Sequence, residues 1–225
     1  GRRLDLVDVV CGIIYVLHEG VRWRALPAVF GRWPSIYTRF SRWAKRGVLD
    51  ALFEAVAGHR QTGKLRGIDA SHIKVHQDAN VADPAAQAMG KTKGGRNTKL
   101  HAVVDGAGHA VKLDLTPAQN HDSTHAITMA QCIVAGQIFM GDKAYDTNAI
   151  RLYLQEHEIG ACIPAKSNRL NPAKHNKGHY KKRHKVENFF QRAKRCRRIG
   201  TRYEKTKLMF QAFVTLFATM DYYLH

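Results

Sequence analysis

The sequence predicts an α/β fold, a mixed sheet flanked by helices, preceded by a small all-α domain of helix-turn-helix type. Three observations predict it. Apolar residues recur at helical spacing near the N-terminus, the stretch from Leu65 to Leu115 is strand-like with glycine turns, and from Asp122 onward helical and strand-like segments take turns.

In the N-terminal segment, Leu6, Val9, Val10, Ile13, Ile14, Val16 and Leu17 lie on a helical repeat that Gly20 stops. Trp23-Arg24-Ala25-Leu26-Pro27 begins a second short helical unit, broken by Gly31, and Pro34-Ser35 caps a third helix reaching Arg46. This third helix interleaves Arg39, Arg42, Lys45 and Arg46 with Tyr37, Phe40 and Trp43, as a basic recognition helix entering a major groove does. A plain helical bundle with solvated arginines is the alternative. The stretch from Gly58 to Lys64 has linker composition and divides a helical domain over residues 1–60 from a second domain over 61–225.

The second segment opens with three strands, Leu65–Val75, Thr98–Val104 and Ala110–Leu115, the last two joined through Gly106 to Gly108, which makes a meander. Asp122-Ser123 caps a helix reaching Val134. Ile138-Phe139-Met140 is a short strand running into Gly141-Asp142-Lys143, Asp146-Thr147 caps a helix reaching His157, and Ile159–Pro164 is a fifth strand. The loop from Gln77 to Gly95 is polar and basic, with Lys91, Lys93 and Arg96 at its end, and is expected to be mobile until it meets phosphate.

Thirty-six Lys and Arg against eighteen Asp and Glu give a net charge of +18 and a pI near 10.0, which calls for a polyanion, and nucleic acid fits best. The basic residues form neither a tail nor a surface-seeking helix, and Leu208 to Leu224 is interrupted by Gln211 and Asp221, so a membrane partner is not expected. That stretch reads as a buried or subunit-facing helix. No leader pattern opens the chain, and Gly1 in place of Met implies that the native N-terminus lies upstream. Cys11, Cys132, Cys162 and Cys196 form no C-x-x-C pair and read as reduced, packed thiols of a cytosolic protein.

The most informative feature lies near the C-terminal end. Tyr180, Arg183, Gln191 and Lys194 stand seven and four residues before and four and seven after Glu187, so all five share one stripe of a helix whose other side carries Val186, Phe189, Phe190 and Ala193. An ordinary Arg183–Glu187 ion pair on a solvated face is the plain alternative. Asp69 in the first strand and Asp142 after the fourth supply two further acids that a layered sheet can bring to the same point. Convergent carboxylates raise one another's pKa, and a divalent cation relieves them; hard oxygen donors suit Mg²⁺ or Mn²⁺. Two ions roughly 4 Å apart would activate a water or 3′-hydroxyl and stabilise a leaving oxygen at phosphorus. Taken singly, Asp69 also reads as a turn or cap acid and Asp142 as a strand end. His72 with His76 and His121 with His125 have the four-residue spacing of a metal pair. The first pair lies on a strand, about 13 Å apart, and both read as surface or phosphate-contacting residues, with zinc as the minor alternative. Asp146 reads as a helix cap and a reserve ligand.

The runs Gly67-Ile68-Asp69-Ala70-Ser71, Gly141-Asp142-Lys143-Ala144-Tyr145-Asp146 and Tyr180-x2-Arg183-x3-Glu187-x6-Lys194 resemble the DDE transposases of bacterial insertion sequences, the group with a tyrosine, arginine, glutamate, lysine signature. Trp23 to Pro27, Ala118-Gln119-Asn120-His121-Asp122 and Arg202-Tyr203-Glu204-Lys205-Thr206 are similar to segments of the same enzymes, so the resemblance spans nearly the whole chain. It implies an RNase H-like catalytic domain with Asp69, Asp142 and Glu187 as catalytic, metal-binding residues for two ions. By the same resemblance Tyr180, Arg183 and Lys194 contact the DNA backbone. Sequence preference is expected from the first domain, where Arg39 and Arg42 on the basic third helix reach guanine edges. The expected partner is double-stranded DNA, both the element's terminal inverted repeats and the target, handled by a homodimer in the bacterial cytoplasm at the nucleoid. The expected chemistry is cleavage at the element end followed by attack of the freed 3′-hydroxyl on target DNA, with no covalent protein intermediate. Two alternatives stay open: a transposase-derived DNA-binding regulator without catalysis, and a stand-alone metal-dependent nuclease.

Overall fold

The computed structural model describes residues 5–225, so the first four residues of the expected 1–60 domain lie outside the described residues. Three helices come first: α1 (Leu6–Glu19), α2 (Trp33–Lys45) and α3 (Val48–Arg60). There follow β1 (Leu65–Val75), β2 (Gly90–Thr92), β3 (Gly95–Val104), β4 (Ala110–Pro117), α4 (Asp122–Ala130), β5 (Ile138–Met140), α5 (Asn148–Glu156) and β6 (Gly160–Cys162). The chain ends with α6 (Lys177–Tyr180), α7 (His184–Arg195), α8 (Arg197–Gly200), β7 (Thr201–Arg202) and α9 (Lys207–Leu224).

The sheet order is β2-β3-β1-β5-β6, with β4 pairing to β3 and β7 to β1. β1, β3 and β4 form the antiparallel meander, while β5 and β6 add in parallel on the other side of β1. Three antiparallel strands followed by parallel ones, with helices on both faces, is the RNase H-like arrangement that the sequence predicts. Alternation along the strands sorts the two faces. Ile68, Val103 and Phe139 pack with α4 and α5, and Ile73, Leu100, Ala102, Val104 and Leu115 pack with α7 and α9.

The second of these cores does not stop at the expected boundary. Val9, Ile13, Ile36, Phe40 and Phe53 of the N-terminal helices belong to one buried cluster with Phe189, Phe210 and Phe213. Phe40 meets Phe213 at a ring separation of 4.5 Å, and Trp23 stacks on Phe213 at 6.0 Å. Aromatic burial of this kind stabilises by about 1.5–3 kcal/mol per side chain. The connection at Gln61 to Lys64 is also tied down, because Asp105 accepts from the Thr62 amide at 2.6 Å and from its hydroxyl at 3.2 Å.

Several elements differ from the expectation. The linker composition of Gly58 to Arg60 belongs to the last turn of α3, a helix that the sequence reading leaves out. The expected short helix at Trp23 is instead two 3-10 turns, Trp23–Ala25 and Ala28–Phe30, because Pro27 and Gly31 leave each run too short for an α-helical bond ladder. The helix after β4 ends at Ala130, and His121, not Asp122, is its N-cap. The Gln77 to Gly95 loop is partly ordered: β2 pairs with β3, Thr92 donates to the Gly95 carbonyl at 3.0 Å, and Asn97 donates to Thr92 at 2.8 Å. Gly90 is required there by close approach, since a Cβ would fall 2.7 Å from the backbone nitrogen of Ala118. Cys11 is exposed and not packed, while Cys162 and Cys196 are buried thiols. Among the described residues no helix is long and apolar enough to cross a membrane.

Candidate active site

Asp69 is the fifth residue of β1, with its side chain on the α7 side; it pairs with Ala102 of β3 and lies two residues past Gly67, the last β1 residue that pairs with β5. Its Oδ1 accepts the Ala70 amide at 2.8 Å and its Oδ2 accepts Arg183 Nη1 at 2.8 Å. Arg183 also bonds Glu187 Oε1, so one guanidinium bridges an acid on the central strand and an acid on α7. The plain Arg183–Glu187 pair is therefore present, and Asp69 is added to it from 114 residues away. Burial, and after it the charge of Asp142, raise the Asp69 pKa despite the opposing pull of the Ala70 amide and Arg183.

Asp142 follows β5 directly and caps the 3-10 turn Lys143–Tyr145, accepting the Ala144 amide at 2.8 Å. Gly141 before it is required by packing, because a Cβ would stand 2.9 Å from the Tyr145 ring. Tyr145 is buried with its hydroxyl unpartnered among the described residues. Burial first, and then the charges of Asp69, Asp122 and Asp142, raise its pKa.

The expected helical stripe is broken. Tyr180 ends α6, Lys181–Arg183 form a 3-10 turn, and Glu187 and Lys194 belong to α7. Right-handed backbone is kept across the junction, at φ −59° for Tyr180 and −53° for His184, so the residues stay on successive turns. Tyr180 packs edge-on against His175, 5.3 Å between ring centres. Lys194 is exposed, and its charge, after desolvation and Lys99, lowers the pKa of His72. Arg39 and Arg42 are exposed on α2, whose buried side is Ile36, Phe40 and Ala44.

Sequence reasoning missed a second polar layer, on the α4 face of the sheet opposite Asp69. Lys99 is buried on β3, donates to the Asn120 carbonyl at 2.6 Å and pairs with Asp122 at 2.8 Å. Its strand neighbour His101, also buried, bonds Thr116 at 2.8 Å, and burial followed by the charge of His125 lowers its pKa to about 4. His125 pairs with Asp114 at 2.8 Å, so the His121/His125 spacing is not a metal pair. The available signal was the polar alternation Lys99, His101 facing the Ala118 to Asp122 run. Asp146, the reserve ligand, is withdrawn from the site: Arg151 and Arg169 each donate to it at 2.6 Å and the Lys166 amide at 2.8 Å. Thr147 is the helix cap instead.

The donor set of Asp69, Asp142 and Glu187 is all hard carboxylate oxygen, and burial raises the Asp69 pKa even with Arg183 bonded to it. A divalent cation fits that chemistry, and Arg183 now supplies the charge. Among the described residues no three Asp, Glu, His or Cys side chains are drawn together closely enough to enclose a metal ion.

A strand-borne acid, a post-strand acid and a helix-borne acid on this sheet are the residue types that nucleotidyl-transfer chemistry uses. Comparison with known proteins gives the family. A model described as "Transposase DDE domain" matches residues 61–220, and one described as "Putative transposase of IS4/5 family" matches residues 1–53. The chain belongs to the DDE transposases of insertion sequences, which cleave DNA and catalyse strand transfer. It is 34% identical over 124 residues to the "Putative transposase for insertion sequence element IS6501" of Brucella ovis, covering 55% of this chain and 95% of that one. It is 32% identical over 97 residues to the "Transposase for insertion sequence element IS1106" of Neisseria meningitidis serogroup B, covering 41% of this chain and 34% of the relative. Among solved structures, the Mos1 transposase paired-end complex with left transposon end aligns at 9% identity and a TM-score of 0.32, over 86% of this chain and 79% of that one.

Proposed function

We propose that Asp69, Asp142 and Glu187 are the catalytic carboxylates of this transposase and that they hold its divalent ions, two Mg²⁺ or Mn²⁺ per site. The observation that carries this reading is the Arg183 bridge, which puts a positive charge between two of the three acids from distant parts of the chain. Bound there, the ions would lower the pKa of a water or 3′-hydroxyl and neutralise charge building at phosphorus. The protein's own part is to hold and release. Arg183 gives up at least one carboxylate, and its planar donors then face a phosphate oxygen beside Glu187. Tyr180 and Lys194, on neighbouring turns, grip the strand without reading its sequence. Residues 1–60 form the unit that reads the terminal repeat, with Arg39 and Arg42 exposed on α2 for base edges, although that unit shares its core with α9. A homodimer joins two element ends, in the cytoplasm at the nucleoid.

The test is Glu187→Gln on a duplex bearing the element's end, with Mg²⁺. Cleavage falls at least about a thousandfold, roughly 4 kcal/mol of barrier, while binding stays within about threefold. Wild-type cleavage by that variant would remove Glu187 from the mechanism. Nicking without joined products from the wild type would identify a nuclease, and binding alone a regulator.

A further inference from the structure

The Arg202 to Thr206 run, set apart by resemblance alone, builds a surface that the carboxylate site does not use. β7 pairs in parallel with the end of β1, Lys74 opposite Thr201 and Val75 opposite Arg202, and the His76 amide donates to the Arg202 carbonyl at 2.9 Å. Arg202 points inward and is fully buried, donating to Thr98 Oγ1 at 2.7 Å and to the Glu204 carbonyl at 3.0 Å. Buried Glu204 in turn accepts Arg198 at 2.7 Å. With its neighbours anchored on both sides, Tyr203 is turned the other way. Its ring lies 4.6 Å from that of His76, with the Arg198 guanidinium 5.1 Å from it.

Across from this aromatic pair, the β2–β3 hairpin presents Lys91 and Arg96 as cross-strand partners. Together with Lys74, His76 and Tyr203 they line one open groove, and no Asp or Glu lines it. Among the described residues Lys74, Lys91 and Arg96 pair with no carboxylate, Arg96 bonding Asn80 instead. Three cations without acidic partners beside a fixed aromatic face are the complement of a phosphate backbone. At strand rise, Lys74 stands about 17 Å beyond Asp69 along β1, and being an odd number of residues on it faces the other side of the sheet.

We propose that this groove is a second DNA-backbone track, in which Lys74, Lys91 and Arg96 neutralise phosphates and Tyr203 with His76 packs against the sugar-phosphate edge. The proposal rests on the transposase reading above and adds a contact surface remote from the acids. The variant Lys74→Ala/Lys91→Ala/Arg96→Ala is titrated against two duplexes of about 30 base pairs, one bearing the element's end and one of random sequence. The plot of log affinity against log salt becomes shallower by about 2 to 3, since each lost phosphate contact removes about 0.9. A change confined to the end-bearing duplex assigns the groove to the element, and a change on the random duplex assigns it to the target. Slopes and affinities matching wild type on both, in a variant that unfolds at the wild-type temperature, overturn the groove. Should the triple variant misfold, Lys91→Gln alone, on the exposed hairpin, must flatten the slope by about 0.9 or the proposal fails. Wild-type protein that shows the groove effect but leaves the end-bearing duplex uncut in Mg²⁺ defeats the catalytic reading instead.

Discussion

Two acids four residues apart, Asp142 and Asp146, stand at either end of the same 3-10 turn and have opposite fates. Asp146 is fully buried and saturated by Arg151, Arg169 and the Lys166 amide, so that although burial works the other way its pKa is held down to about 2. Asp142 is half-buried, takes one amide, and stands beside Asp69, whose pKa is raised. Asp146 fixes the turn and the Lys166 to Arg169 loop, while Asp142 takes one amide and Asp69 shares the single guanidinium of Arg183 with Glu187. The acid committed to architecture is saturated by two arginines; of those proposed for chemistry, Asp69 and Glu187 share one, and Asp142 has none among the described residues.

The largest break in that contrast is Asp146→Ala, which strands two arginines. It should cost about 3–5 kcal/mol in urea unfolding, and a loss below about 1 kcal/mol would make the cluster incidental. Gly141→Ala drives a methyl into the Tyr145 ring and should cost about 1–3 kcal/mol while shifting Asp142; a crystal structure with Tyr145 unmoved would contradict this. Arg183→Ala should change stability by less than about 1 kcal/mol, since the bridge is partly solvated, yet tighten Mn²⁺ binding in the absence of DNA. Calorimetry showing weaker Mn²⁺ binding would mean that Arg183 orders the acids and does not occupy their cation position.

The smallest effect is one of sign. Asp146 has a folded pKa below its unfolded value, so its stabilisation is complete above the unfolded carboxylate range and disappears as pH falls toward about 2. For Asp69 the folded pKa is raised, so its contribution is present below the unfolded value and is lost as pH rises through the folded one. Stability curves of Asp146→Asn and Asp69→Asn against pH should therefore diverge from wild type in opposite directions between about pH 2 and 6. Parallel curves would refute the assigned environments.

The strands were legible because alternation needs only neighbouring residues: β1 from Leu65 to Val75 and β5 from Ile138 to Met140 match their expected bounds. The three acids and the signature residues could be listed from spacing and resemblance. Arg183's bond to Asp69 could not, because no local pattern connects residues so far apart. α3 stayed hidden since Gly58 and the polar residues around it read as a linker, and tertiary packing on α9 overrode that composition. Lys99 with Asp122 was invisible for a similar reason, since a buried lysine is recognised only once its partner is placed.

Because Phe40 and Trp23 lean on Phe213, the first helices finish their hydrophobic seal only with the last one. A ribosome must extend the chain past Phe213 before α2 acquires its backing. Products terminated before α9 would therefore leave an oily seam bare and be prone to degradation or clumping.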